Sequence, residues 1–219
     1  MNTKKAFQLL LLAWAVPAAH ASTNNFHVPF FRGSADSEAG YWENFSVAVG
    51  QPGNLADKPG STTGAVLVQN DPGAFLTGSL NIYNVERVSE FNLTDSTPFT
   101  LGTAVLQTRT LGSELLYSSV TLSYEGEAGR VDLPPMFRLE LDRGTILGAS
   151  VSSLYQWDLT GLGVADYAIS FKADGSSLSF DALTLDTWSQ MAVVPEPSTM
   201  ALAALGVALL GAVSRRRNR

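Results

Sequence analysis

Apolar and polar side chains alternate with a period of two through most of this 219-residue chain. Phe45, Val47 and Val49 alternate with Asn44, Ser46 and Ala48. The same pattern recurs at Leu80 and Ile82, at Phe99, Leu101 and Thr103, and at Val120, Leu122 and Tyr124. Phe137, Leu139 and Leu141 stand opposite Arg138, Glu140 and Asp142. Further runs are Tyr155, Trp157 and Leu159, then Tyr167, Ile169 and Phe171, then Leu178 with Phe180 and Leu183 with Leu185. Successive side chains of a strand point to opposite faces, so each run predicts a half-buried strand. No stretch shows three turns of amphipathic helix.

Eight or nine short strands with Gly, Asp, Pro and Ser between them predict an all-β fold, an antiparallel β-sandwich of jelly-roll-like type. Residues 166–188 read as its clearest hairpin, with Ala173-Asp174-Gly175 at the turn. The stretch Gly50 to Gly64 is rich in Gly, Pro and Thr and too long for a simple turn. The chain has no cysteine, which removes disulfides, thiol catalysis and zinc–thiolate sites together.

Both ends depart from this pattern. Lys4 and Lys5, the apolar run Ala6 to Val16, Pro17 and then Ala19-His20-Ala21 have the form of a secretory signal peptide cut after Ala21. At the other end, Pro195-Glu196-Pro197 precedes an uncharged run from Met200 to Val213, then Arg215, Arg216, Arg217 and Arg219. The run would reach roughly 21 Å as a helix, so it needs its Ser and Thr flanks or a thinned bilayer to span. The arginines favour a cytoplasmic C-terminus. The two prolines keep Glu196 extended and open to an enzyme.

This tail, about residues 194–219, resembles the PEP-CTERM sorting signal of exported bacterial proteins. The resemblance implies recognition of Pro195, Glu196 and Pro197 by a membrane enzyme, an exosortase, and a transient hold on the inner membrane. The expected organisation is a signal peptide at 1–21, a β-sandwich ectodomain at 22–189 and a linker at 190–199. A transmembrane helix at 200–214 and a basic tail at 215–219 complete it.

Between Ser22 and Val194 the chain carries eight Lys or Arg against 19 Asp or Glu, a net charge of −11. So acidic an exterior argues against nucleic acid as a partner. The segment holds one histidine, His27, and no H-E-x-x-H, G-x-S-x-G or phosphate-binding glycine loop. Carboxylates suited to a glycosidase pair are plentiful (Glu43, Glu86, Glu90, Glu114, Glu125 and Glu140), but nothing in the sequence opposes two of them. Calcium suits acidic loops such as those of Asp57, Asp71 and Asp174, yet none has the D-x-[DN]-x-[DN]-G pattern. The expectation is therefore no catalytic residue, no metal and no cofactor. Trp42 with Tyr41, just after Gly40, is the expected sugar-stacking pair, whereas Trp157 reads as core.

Together these features predict an exported, non-enzymatic protein of the cell envelope or extracellular matrix. Its ectodomain would be structural or bind exopolysaccharide, with an envelope glycosidase or polysaccharide lyase as the alternative. The PEP-CTERM resemblance supplies the association with biofilm-forming bacteria.

Overall fold

The computed structural model describes residues 26–144 and 149–189. The expected signal peptide, the Pro195-Glu196-Pro197 motif, the apolar span and Arg215, Arg216, Arg217 and Arg219 lie outside the described residues. Among the described residues thirteen strands run in chain order: β1 (Ser37–Trp42), β2 (Asn54–Leu55), β3 (Val66–Gln69), β4 (Phe75–Leu76), β5 (Ile82–Asn84), β6 (Glu90–Ser96), β7 (Leu101–Gly112), β8 (Thr121–Gly126), β9 (Gly129–Leu133), β10 (Phe137–Gly144), β11 (Ala149–Asp158), β12 (Asp166–Lys172) and β13 (Leu178–Ser189). A 3-10 turn, Tyr117–Ser119, stands before β8.

The strands form two antiparallel sheets, as expected of a sandwich. A six-stranded sheet has the order β2-β3-β6-β12-β8-β9. A seven-stranded sheet has the order β10-β11-β7-β13-β5-β4, with β1 also paired to β13. The 12-residue β13 is the hub. Its one edge pairs with β7, and its other edge pairs with β5 at the start and β1 at the end.

Between the sheets lies one apolar core. Phe91 and Leu93 of β6 and Ile169 and Phe171 of β12 enter it from the six-stranded sheet. Ala104 and Leu106 of β7, with Phe180, Leu183 and Leu185 of β13, meet them from the seven-stranded sheet. Phe180 packs on Phe91, Phe171 and Phe45 at centroid distances of 4.5, 5.6 and 5.7 Å. Tyr155 and Trp157 fill the same core from β11, and the Trp157 indole N–H donates to the Leu133 carbonyl at 3.0 Å.

Three sequence expectations are corrected. The stretch 45–49 is not a strand: the buried Asn54 side chain accepts from Ser46 N and Val47 N at 2.8 and 2.9 Å and donates to Val47 O, which bends the chain around it. Residues 166–188 are not a hairpin either. β12 pairs β6 and β8, whereas β13 pairs β7, so the Asp174-Gly175 connection crosses from one sheet to the other. In β10 the alternation is present, but Phe137 and Leu139 are exposed at the edge of the seven-stranded sheet. Their neighbour Arg138 lays its guanidinium over the Tyr117 ring.

The loop from Gly50 to Gly64 runs along the free edge of β1 and is tied to it. Thr62 N donates to Ala39 O at 2.7 Å, and Asp57 N donates to Tyr41 O at 3.1 Å.

Residues 26–34 form a strap over the outer face of the seven-stranded sheet. Gln107 accepts from His27 N at 2.7 Å and donates to His27 O at 2.8 Å, which copies a strand pair with a side chain. Phe31 stacks on Trp188 at 5.5 Å and closes a second small core with Val105 and Leu154. Arg32 makes a two-pronged ion pair with Asp186 at 2.5 and 2.6 Å. Both faces of this sheet are therefore partly covered.

Candidate functional site

Strand alternation separates the expected sugar-stacking pair. Trp42 points into the sandwich, is 1% exposed, and donates its indole N–H to Asn54 O at 3.0 Å. Gly40 makes room for it: a Cβ there would stand 2.6 Å from the Trp42 ring. Tyr41 points the other way and meets Phe26 edge-on at 6.0 Å. Adjacent strand residues cannot share one surface, so Tyr41 and Trp42 do not make a joint platform. A ring as buried as Trp42 is core.

The outer face of the six-stranded sheet is polar instead. Phe91, Leu93, Ile169 and Phe171 point inward, so Asn92 and Thr94 of β6 and Ser170 and Lys172 of β12 point outward. Asn92 and Ser170 are cross-strand partners, and the Ser170 hydroxyl donates to the Asn92 amide oxygen at 3.0 Å. A groove of about 430 Å³ opens there, with Asn70, Glu90, Asn92, Ser119, Ser170 and Lys172 among its lining residues. A second groove of about 230 Å³ is lined in part by Ser123, Glu125, Arg130 and Asp166. Arg130 donates to Ser123 Oγ at 2.9 Å and to Asp132 at 2.8 Å, which fixes its guanidinium along the sheet.

Sequence reasoning passed over Asn92, Ser170 and Lys172. The alternation of DYAISFK does place Ser170 and Lys172 opposite the core residues, but it carries no information on which strand lies beside them.

The carboxylates are occupied differently. Glu43 pairs with Lys58 at 2.5 Å. Glu114 takes two hydrogen bonds from Arg143, at 2.5 and 3.0 Å, and one from the Tyr117 hydroxyl. Those bonds, with Arg143 first, hold its pKa down at about 2. A general acid of glycoside hydrolysis needs the opposite shift, so Glu114 is unsuited to that role. Glu140 also binds Arg143, at 2.7 Å. Asp57 accepts from Glu43 N and from the Asn44 amide at 2.7 and 2.8 Å, bracing a loop. Among the described residues no three His, Cys, Asp or Glu side chains stand together as a metal cluster.

The lowered pKa of Glu114 has a sign that can be checked. Its ion pair stabilises the fold fully above the ordinary glutamate value of 4.5, and that contribution fades as pH falls toward about 2. Glu114→Gln should therefore melt below the wild type at pH 6, and most of the gap should be gone by pH 2.5. Thermal unfolding of both proteins at the two pH values reads the difference.

Residues 193–217 match the family model described as the PEP-CTERM protein-sorting motif. No curated protein matches the chain. Among solved structures, the enzymatically active domain of bacteriophage CBA120 tailspike protein 4 is similar at 11% identity, over 73% of this chain and 20% of that one. The TM-score is 0.24, too low for the likeness to bear on fold or activity.

Proposed function

Since the chain carries a PEP-CTERM protein-sorting motif, the mark of an exported protein processed by an exosortase at the membrane, we propose that its ectodomain is a polysaccharide-binding module of the envelope or extracellular matrix. The observation that supports this reading is the grooved polar face built on Asn92, Ser170 and Lys172. Amide, hydroxyl and ammonium groups fixed on neighbouring strands match the donors and acceptors of sugar hydroxyls. The net negative charge of the exterior favours a neutral polymer over an anionic one. Binding through hydrogen bonds on an open face is weak per site, and many copies along one polymer raise it by avidity. The role is binding without turnover.

The test is to incubate the exported protein with the host's own exopolysaccharide and follow bound protein and new reducing ends together. Retention without new ends is expected. The double variant Asn92→Ala, Lys172→Ala should retain at least tenfold less protein with an unchanged melting temperature. New reducing ends would make the protein an enzyme. No retention at all would leave a structural role without a sugar ligand.

A further inference from the structure

At one end of the sandwich the core gives way to a polar layer shared by both sheets. Glu38 of β1 and Thr187 of β13 are cross-strand partners. They share the inner face with Trp42, Leu183 and Leu185. Asp95 of β6 and Tyr167 of β12 are partners in the opposite sheet, on the face that carries Leu93 and Ile169.

Asp95 is held firmly. Its Oδ2 accepts from Tyr167 OH at 3.0 Å and from the Thr63 hydroxyl at 2.8 Å, and its Oδ1 accepts from Ser96 N at 2.9 Å. The other side of the layer is not held. Thr187 is 1% exposed, and its Oγ1 has no hydrogen-bond partner; the buried Oε2 of Glu38 has none either. Thr63 bridges the two sides: its N–H donates to Ala39 O, next to Glu38 on β1, at 3.2 Å, and its hydroxyl is the one that donates to Asp95. None of the ion pairs among the described residues includes Glu38 or Asp95. Two carboxyl groups and an orphaned hydroxyl, with no cation beside them, leave buried negative charge and unfilled acceptors.

We propose that Glu38, Asp95 and Thr187 bind a hard divalent cation, Ca²⁺, between the two sheets. Calcium takes carboxylate, hydroxyl and water oxygens in flexible geometry, whereas Mg²⁺ demands a near-ideal octahedron that two strand pairs from separate sheets are poorly suited to build. Glu38 is only partly buried, which leaves a path for the ion and for the waters that complete its shell. Neutralising both carboxylates would join β1–β13 to β6–β12. With two charged ligands the affinity falls in the range of extracellular modules, a Kd of roughly 0.1–1 mM.

The full chain in detergent micelles, stripped with EDTA, is titrated with Tb³⁺, whose emission is excited through nearby aromatic rings such as Tyr167. Emission displaced by millimolar Ca²⁺ is expected. Glu38→Gln should weaken that displacement at least tenfold, and the near-isosteric Thr187→Val should weaken it severalfold while keeping the fold. Absence of calcium-displaceable emission in the wild type would overturn the proposal, as would a signal unchanged in both variants. A wild-type melting temperature equal in Ca²⁺ and EDTA, together with a Glu38→Gln variant more stable than wild type at neutral pH, would assign the layer to a retained proton instead.

Discussion

Arg32→Met should lower the unfolding free energy by about 3–5 kcal/mol, the cost of removing one partner from a buried ion pair. Its partner Asp186 has a side chain with 0% exposure, and burial already pushes the Asp186 pKa up while Arg32 pulls it back. Without the guanidinium, the buried carboxylate loses its one ion pair among the described residues, and His27 is the weaker influence that remains. The methionine keeps the aliphatic stem, so the loss reports the charge and not the packing. Asp186→Leu in the same chain should restore most of the stability, because no charge is then left behind. Denaturant unfolding of the two single variants and the double variant measures the coupling. The sign with pH follows from the raised pKa. As pH falls through it, Asp186 becomes neutral, the need for Arg32 disappears, and the deficit of Arg32→Met should shrink. A loss under about 1 kcal/mol at neutral pH, the range of an exposed pair, would mean that the strap does not support the sheet.

Phe180→Ala should cost a similar amount, about 3–5 kcal/mol, by a different route. Phe180 is fully buried and touches the rings of Phe45, Phe91 and Phe171, which come from a loop and from both strands of the opposing sheet centre. Strands fixed by long ladders cannot close the gap that the missing ring leaves. Against a typical total of about 5–15 kcal/mol, such a loss should drop the melting temperature by roughly 10 °C or more. Differential scanning calorimetry checks it. The loss should not depend on pH, which separates it from that of Arg32→Met.

Much of the sandwich was legible in the sequence. The runs at 120–124, 155–159 and 167–171 put most of the predicted side chains in the core, and Trp157 is buried as read. The strands that escaped notice have weaker patterns. β6 reads Glu90-Phe91-Asn92-Leu93-Thr94-Asp95-Ser96, where only Phe91 and Leu93 are apolar because the third inward residue is Asp95. That exception is the polar layer itself. In β10 the pattern was visible but its direction was not. Phe137 and Leu139 lie at a sheet edge, uncovered among the described residues, and alternation names two faces without saying which one meets the core.

The candidate polar face shows the same division. Asn92 and Ser170 are 78 residues apart, and only the β6–β12 register brings them within 3.0 Å. The sequence by itself determined the sorting motif at residues 193–217, and the strand character of the described residues, through their period of two. Both are properties of neighbouring residues. Tertiary structure alone decided that β12 and β13 part into opposite sheets, that Trp42 turns inward, and that Thr63 ties β1 to Asp95. Strand pairing is a long-range choice among backbones that all offer the same hydrogen bonds, and it is made by the packing of the whole core.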